Sequence, residues 1–362
     1  MTPKDTSTSP DLSLKKSSPS HQELHAHLTG SLSDATVLKL LRAKQAEGGA
    51  KLPQSAEVTI QRGHKRTLEE CFEVFRILHC LTDNLSAIKT ITRDVIQEFV
   101  ADNVHYLELR TTPKSIDGVM TKNQYIDTVL EAMIDEMKMN NITVRLLVSI
   151  DRSRGLDDAW DTLQLAKQYA AHDQFKSLIC GIDVSGNPRA GNLGDYIPVL
   201  QEAKQCGLNL SVHLAEVPNE KETLELLKTG LIDRIGHGTF IHPDTGGSQE
   251  LSQLVKSQAI PLELCLSSNI KSGTVKSAED HHFSFWRKDE HPVVICTDDK
   301  GVFSTTLSEE YKICAETFHL KKADLRELCL AAVELTFLSQ EEKERLRLSV
   351  HTELDELTRL ES

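Results

Sequence analysis

The chain has 362 residues, with 41 Lys and Arg against 54 Asp and Glu, a formal net charge of −13. Apolar residues make up 39% and charged residues 26%, which suits a water-soluble globular protein with a large core. The acidic excess argues against a reader of nucleic-acid backbones, and no stretch approaches the ~18 consecutive apolar residues of a transmembrane helix.

Residues 1–20 are rich in Ser, Thr, Pro and Lys and are expected to form a disordered tail; they hold no apolar run, so no secretory signal is expected. The first strand-like run follows at 23–27 (ELHAH). The stretch 31–103 separates it from the second and carries helix-like periodicity at 33–46, 67–82 and 85–101. Further strand-like runs lie at 106–112 (YLELRTT), 144–151 (VRLLVSID), 178–186 (LICGIDVSG) and 208–216 (LNLSVHLAE). The last three are 234–239 (RIGHGT), 260–269 (IPLELCLSSN) and 292–299 (PVVICTDD). Helical periodicity separates most of them, at 125–139, 156–171, 197–206 and 220–229. Residues 321–362 are helical and strongly charged, and are expected to form a solvated C-terminal region.

Eight strand–helix units predict one α/β domain over residues 21–362, a (β/α)8 TIM barrel with a helical insertion at about 31–103 and extra C-terminal helices. An open doubly wound sheet would want a Gly-rich phosphate turn after the first strand, and no GxGxxG occurs there. The eight cysteines never form a CxxC, so they read as reduced, mostly buried thiols and not as a thiolate metal site.

Polar residues fall at the C-terminal ends of these strands, the face on which barrel enzymes do chemistry. The first strand ends in His25-Ala26-His27, the fifth in His213 with Glu216 beyond, the sixth carries His237, and the eighth ends in Asp298-Asp299. Residues i and i+2 of a strand point the same way, so His25 and His27 can both face the barrel mouth. With His213 and Asp298 they form a His3Asp set without thiolate, a donor set suited to one catalytic Zn2+. Each feature alone has an ordinary reading: an HxH by chance, a core histidine, an Asp pair capping a helix, a GHG turn. Their convergence on one end of parallel strands favours a site. His64, His281 and His282 lie in polar stretches and read as surface residues.

The motifs HAHLTG, SVHLAE, RIGHGT and CTDD, in this order, resemble the adenosine deaminase family of the metal-dependent amidohydrolase superfamily, over nearly the whole chain. YLELRTTPK, CLSSN and TDDKGVFST, with Lys300 after the Asp pair, resemble its N6-methyl-AMP deaminase branch. The resemblance implies zinc on His25, His27, His213 and Asp298, with Glu216 giving a proton to purine N1. It implies that His237 orients the metal-side water or takes its proton, and that Asp299 bonds N7 and the attacking hydroxide. His27, Thr29, His79, Thr111, Thr112, Pro113, Lys114, Asp151, Gly186 and Asp299 are the implied substrate contacts. Thr29 stands where the family carries Asp or Asn toward the ribose, and its hydroxyl has a shorter reach. Thr111, Thr112 and Lys114 would cradle the phosphate, while Arg110, pointing the other way, would serve structure.

The expected function is zinc-dependent hydrolysis of N6-methyl-AMP to IMP and methylamine by a cytosolic monomer that uses no nucleic-acid polymer or membrane. The alternatives are adenosine deamination, a phosphoesterase on the HxH metal site, and a non-catalytic nucleoside-binding barrel.

Overall fold

The computed structural model describes residues 21–46 and 67–360. The expected tail at 1–20 and His64 lie outside the described residues, as does the middle of the insertion. Eight parallel strands run in sequence order: β1 (His21–His27), β2 (Val104–Thr111), β3 (Thr143–Asp151), β4 (Ile179–Ser185), β5 (Asn209–Leu214), β6 (Arg234–His237), β7 (Leu262–Leu264) and β8 (Val293–Ile295). Just past β8 the chain meets β1 again: Asp298 N donates to His25 O at 2.8 Å and His27 N to Asp298 O at 3.0 Å. That pairing closes the barrel and draws a residue of the eighth loop between the two histidines of the first strand.

The insertion supplies α1 (Asp34–Ala46), α2 (Leu68–Leu81) and α3 (Leu85–Ala101). Thr67 and Glu70 form a capping box that starts α2, with Glu70 N donating to Thr67 Oγ1 at 3.2 Å and Thr67 N to Glu70 Oε2 at 2.7 Å. Between strands run α4 (Lys122–Met139), α5 (Leu156–Ala171), α6 (Ile197–Gln205), α7 (Glu220–Leu227) and α8 (Gln249–Ser257). Then come α9 (Leu266–Lys271), α10 (Phe283–Lys288), α11 (Leu307–Phe318), α12 (Lys322–Glu334) and α13 (Gln340–Leu360). The apolar core lies between the strands and this helical ring, with Leu109, Val148, Ile182, Val212 and Ile235 all fully buried.

Two expectations change. The run 260–269 is strand only at Leu262–Leu264; Leu266–Lys271 is helix, so the Ser pair and Asn269 are helical. The C-terminal region is not simply solvated. α12 buries Leu328, Cys329, Ala332 and Val333, and the turn after it seats on charge inside the barrel. Leu335 O accepts from Arg234 Nη1 at 2.8 Å, Phe337 N donates to Glu108 Oε1 at 2.7 Å, and the Phe337 ring lies 3.6 Å from Arg234 Cζ. The periodicity of a charged amphipathic helix does not reveal that its next turn satisfies a buried guanidinium.

Candidate metal centre and substrate cleft

Residues i and i+2 of β1 face the mouth as expected, and the ligand atoms of His25, His27, His213 and Asp298 all lie within 4.8 Å of one another. Asp298 Oδ1 is 3.3 Å from His25 Nε2 and 3.4 Å from His27 Nε2, and His27 Nε2 is 3.1 Å from His213 Nε2. The outer nitrogens are held by carboxylates: His25 Nδ1 lies 2.7 Å from Glu263 Oε2, and His213 Nδ1 3.0 Å from Asp183 Oδ1. An Nδ1–H held that way reserves Nε2 for the centre, so two imidazole nitrogens and a carboxylate converge on one point. His25 Nε2 is buried there with no hydrogen-bond partner. This donor set fits a divalent cation, which three imidazole nitrogens and a carboxylate would hold.

The backbone at these positions is unusual. His237, Asp298 and Ala215 are non-glycine residues at φ 63°, 62° and 55°. Left-handed backbone in such residues is strained and collects at functional sites. Each reversal turns a strand end back over the mouth; at Ala215 it brings Glu216 within 3.8 Å of His237 Nε2.

Burial raises the Glu216 carboxyl to about 7. Burial beside Asp298 raises Asp299 well above the usual carboxylate range. Asp298 goes the other way: burial opposes its charge, but the imidazoles of His25, His237 and His27 around it hold it ionised. Three carboxyls in one cleft therefore divide into one anion facing the metal position and two groups able to carry protons.

The cleft above this centre gathers His27, Thr29, Thr111, Thr112, Asp151, Gly186, His213, Glu216, His237, Asp298 and Asp299 from the strand ends. From α2 it adds Leu68, Cys71, Phe72, Phe75 and His79, one face of a helix at spacings of three and four. Gly186 sits at φ 97°, and a Cβ there would fall 2.1 Å from Asp151 Oδ1. The Thr111 hydroxyl is already paired with Tyr125 Oη at 2.7 Å.

Pro113 and Lys114 do not line the cleft. Lys114 Nζ donates to His79 O at 3.3 Å and Thr82 Oγ1 at 3.1 Å, at the C-terminal end of α2. Arg110 is fully buried inside the barrel, where it pairs with Asp183 and Glu263 behind the metal-facing histidines. Lys300 pairs with Glu98 of α3 and does not enter the cleft.

Several contributing residues escaped the sequence. Asp183 and Glu263 sit in mid-strand, where the only signal is a carboxylate within a short apolar run. Ser268 Oγ donates to Asp298 Oδ2 at 2.6 Å. Arg154 Nη1 donates to Pro113 O at 3.1 Å, placing a second cation beside Lys114. His281 and His282, read as surface residues, are both 1% exposed and stacked at 4.2 Å. Their polar sequence context hid the fact that α10 folds them against the sixth loop: His282 Nε2 reaches His237 O at 2.8 Å.

A family model for adenosine deaminase matches residues 20–353. The chain is 45% identical over 327 residues to an N6-methyl-AMP deaminase of Danio rerio, across 90% of this chain and 92% of that one. It is 44% identical over 327 residues to an N6-methyl-AMP deaminase of Homo sapiens, across 90% of each chain. Among solved structures, arabidopsis ADAL complexed with IMP is 37% identical with a TM-score of 0.85, covering 93% of this chain and 97% of that one.

Proposed function

The chain belongs to the adenosine deaminase family, and on that premise we propose that it removes methylamine hydrolytically from N6-methyl-AMP to give IMP, using zinc, as a cytosolic monomer. The observation that carries this reading is the juxtaposition of the His25, His27, His213 and Asp298 donor set with a Glu216 carboxyl raised to about 7 in the same cleft. When bound, zinc supplies the Lewis acidity that makes water a nucleophile at neutral pH.

The protein's own groups divide the remaining work. Glu216, mostly shielded from solvent and raised to about 7, gives its proton to N1 as C6 becomes tetrahedral, which lowers the cost of breaking ring aromaticity. Asp299 holds N7 and bonds the attacking oxygen. His237, with Nε2 3.8 Å from both Glu216 Oε2 and Asp298 Oδ2, stands beside that oxygen. The C6 hydroxyl gives its proton to the departing nitrogen as the C6–N bond breaks, leaving the carbonyl of IMP and methylamine. Gly186 lets backbone approach the purine where a side chain would collide with Asp151.

Phosphate recognition is assigned to the rim: His79, Thr112 and the Pro113–Lys114 turn, with Arg154 adding a second cation. In a chain of net charge −13 this local pair must attract the anion that the global field repels. The resemblance to N6-methyl-AMP deaminases and to a structure complexed with IMP supports a nucleotide over a nucleoside. A panel of adenosine, AMP and their N6-methyl forms tests the proposal. N6-methyl-AMP should be turned over best; turnover of adenosine with both nucleotides untouched overturns it.

A further inference from the structure

A chain of buried polar atoms runs from the cleft to a single backbone amide. Phe283 N donates to His281 Nδ1 at 3.1 Å. A backbone N–H can only donate, so His281 Nδ1 accepts, and the neutral ring must carry its proton on Nε2. Complete burial keeps that ring neutral. His281 Nε2 lies 3.0 Å from the side-chain oxygen of Asn269, which therefore accepts. The orientation of the Asn269 amide follows. Its nitrogen faces away from His281 and lies 3.3 Å from both His237 Nδ1 and Thr274 Oγ1. An amide nitrogen only donates, so His237 Nδ1 is an acceptor.

The other end of His237 is thereby settled. Its Nε2 points into the cleft, 3.8 Å from Glu216 Oε2 and Asp298 Oδ2. The His237 backbone from which the ring projects is itself held, with His282 Nε2 2.8 Å from the His237 carbonyl and φ at 63°. Asn269 is fixed in turn: its N–H bonds Cys265 O at 3.0 Å and its carbonyl accepts Val275 N at 2.9 Å.

We propose that His281 and Asn269 are positioning residues that fix the tautomer of His237, so that its Nε2–H enters the cleft as a hydrogen-bond donor. His237 then orients the attacking oxygen by donating to a lone pair. It does not remove the proton from water, since Nε2 has no lone pair to accept one and Nδ1 faces a donor. That proton goes to the Glu216 carboxylate left when N1 is protonated, which restores the acid.

The test uses the full, zinc-loaded protein labelled with 15N-histidine. Long-range 1H–15N spectra, assigned by the signal lost in His237→Gln, should show Nε2 protonated and Nδ1 bare in His237. Asn269→Asp replaces the amide donor by a second acceptor, so the His237 proton should move to Nδ1. The same variant should lose kcat by about a hundredfold, the usual effect of removing one preorganised donor, with KM changed far less. His281→Gln retains an N–H for Asn269 and should keep most of kcat, whereas His281→Leu should not. A wild-type His237 protonated on Nδ1, or an Asn269→Asp variant with unchanged kcat, overturns the proposal. The kinetic arm rests on the deaminase reading, while the spectra of the wild-type protein do not. A wrong substrate assignment would therefore leave the tautomer result standing.

Discussion

Arg110 reaches Glu263 across the barrel interior, its Nη2 3.0 Å from Glu263 Oε2, the same oxygen that lies 2.7 Å from His25 Nδ1. The other arm of the guanidinium, Nη1, is 3.0 Å from Asp183 Oδ1, the oxygen beside His213 Nδ1. One cation thus ties together the two carboxylates that orient two of the metal-facing histidines, and all three side chains are completely buried. Replacing Arg110 by Met leaves two buried anions short of a partner, which costs about 3–5 kcal/mol of stability. Loosened carboxylates also release the imidazoles, and loss of such outer partners lowers metal affinity by roughly 10–100-fold. Thermal melts with competition against a graded chelator should show both losses in Arg110→Met; a stable variant with native metal affinity would contradict this role.

Glu216→Gln preserves the shape of the carboxyl and removes its transferable proton. Metal content should remain native, because the four ligand atoms are untouched. kcat should fall by about 10²–10⁴-fold, the usual worth of a positioned general acid. In the native protein the group is raised to about 7 by burial. Its acid form is present below that value and lost above it, so kcat/KM should decline as pH rises through 7. A Gln variant with full turnover would remove Glu216 from the mechanism.

The fold and the convergence of the candidate donor residues were legible because they depend on local regularities. Alternating short apolar runs and helical periods specify a parallel barrel, and an HxH on a strand specifies two side chains on one face. Residues whose roles depend on distant partners were not legible. Asp183 and Glu263 matter because Arg110 and two histidines from other strands meet them. His281 looked exposed because its neighbours are polar, yet the backbone amide of Phe283 and the side chain of Asn269 enclose it. Lys114 was recognisable as a cation beside a strand end, but its anchorage on α2 depends on how the insertion packs.

Metal loading should release a proton. Burial disfavours the charged form of His213, but the Asp183 carboxylate beside it outweighs that and raises it to about 9 in the metal-free protein. At neutral pH the ring is therefore protonated before a cation arrives and must give that proton up to become a ligand. Calorimetric titration of the metal-free protein with zinc, repeated in buffers of different ionisation enthalpy, should report about one proton released per site at pH 7–8. Heat independent of the buffer would argue that His213 gives up no proton on metal binding. Reloading should also raise Tm, since the cation binds only the folded arrangement.

Gly30 is constrained by Asp299. A Cβ on Gly30 would fall 1.6 Å from Asp299 Oδ1, and its backbone is not left-handed, so the constraint is purely steric. Gly30→Ala must push the Asp299 carboxylate off its position, at a cost of about 1–3 kcal/mol for overpacking. The larger effect should fall on turnover, because Asp299 is a proposed contact to N7 and the attacking oxygen. Metal content should stay native while kcat/KM drops. Thr29→Ala, one residue earlier, should alter mainly KM.

The rim cations should make nucleotide binding depend on pH in a way that nucleoside binding does not. Burial and the neighbouring Arg154 lower Lys114 from its usual range to about 8. Its charge is present below that pH and disappears above it. A nucleotide phosphate is already dianionic over pH 7–9, its second ionisation lying near ~6. Only the Lys114 partner then changes across this interval. KM for N6-methyl-AMP should rise between pH 7 and 9, while KM for N6-methyladenosine stays level. Lys114→Met should raise KM for the nucleotide by about tenfold at pH 7, equivalent to roughly 1.4 kcal/mol, and flatten its pH dependence. The energy is modest because the ammonium is partly solvated and already shared with His79 O and Thr82 Oγ1. Equal pH dependence for nucleotide and nucleoside would move the phosphate away from Lys114.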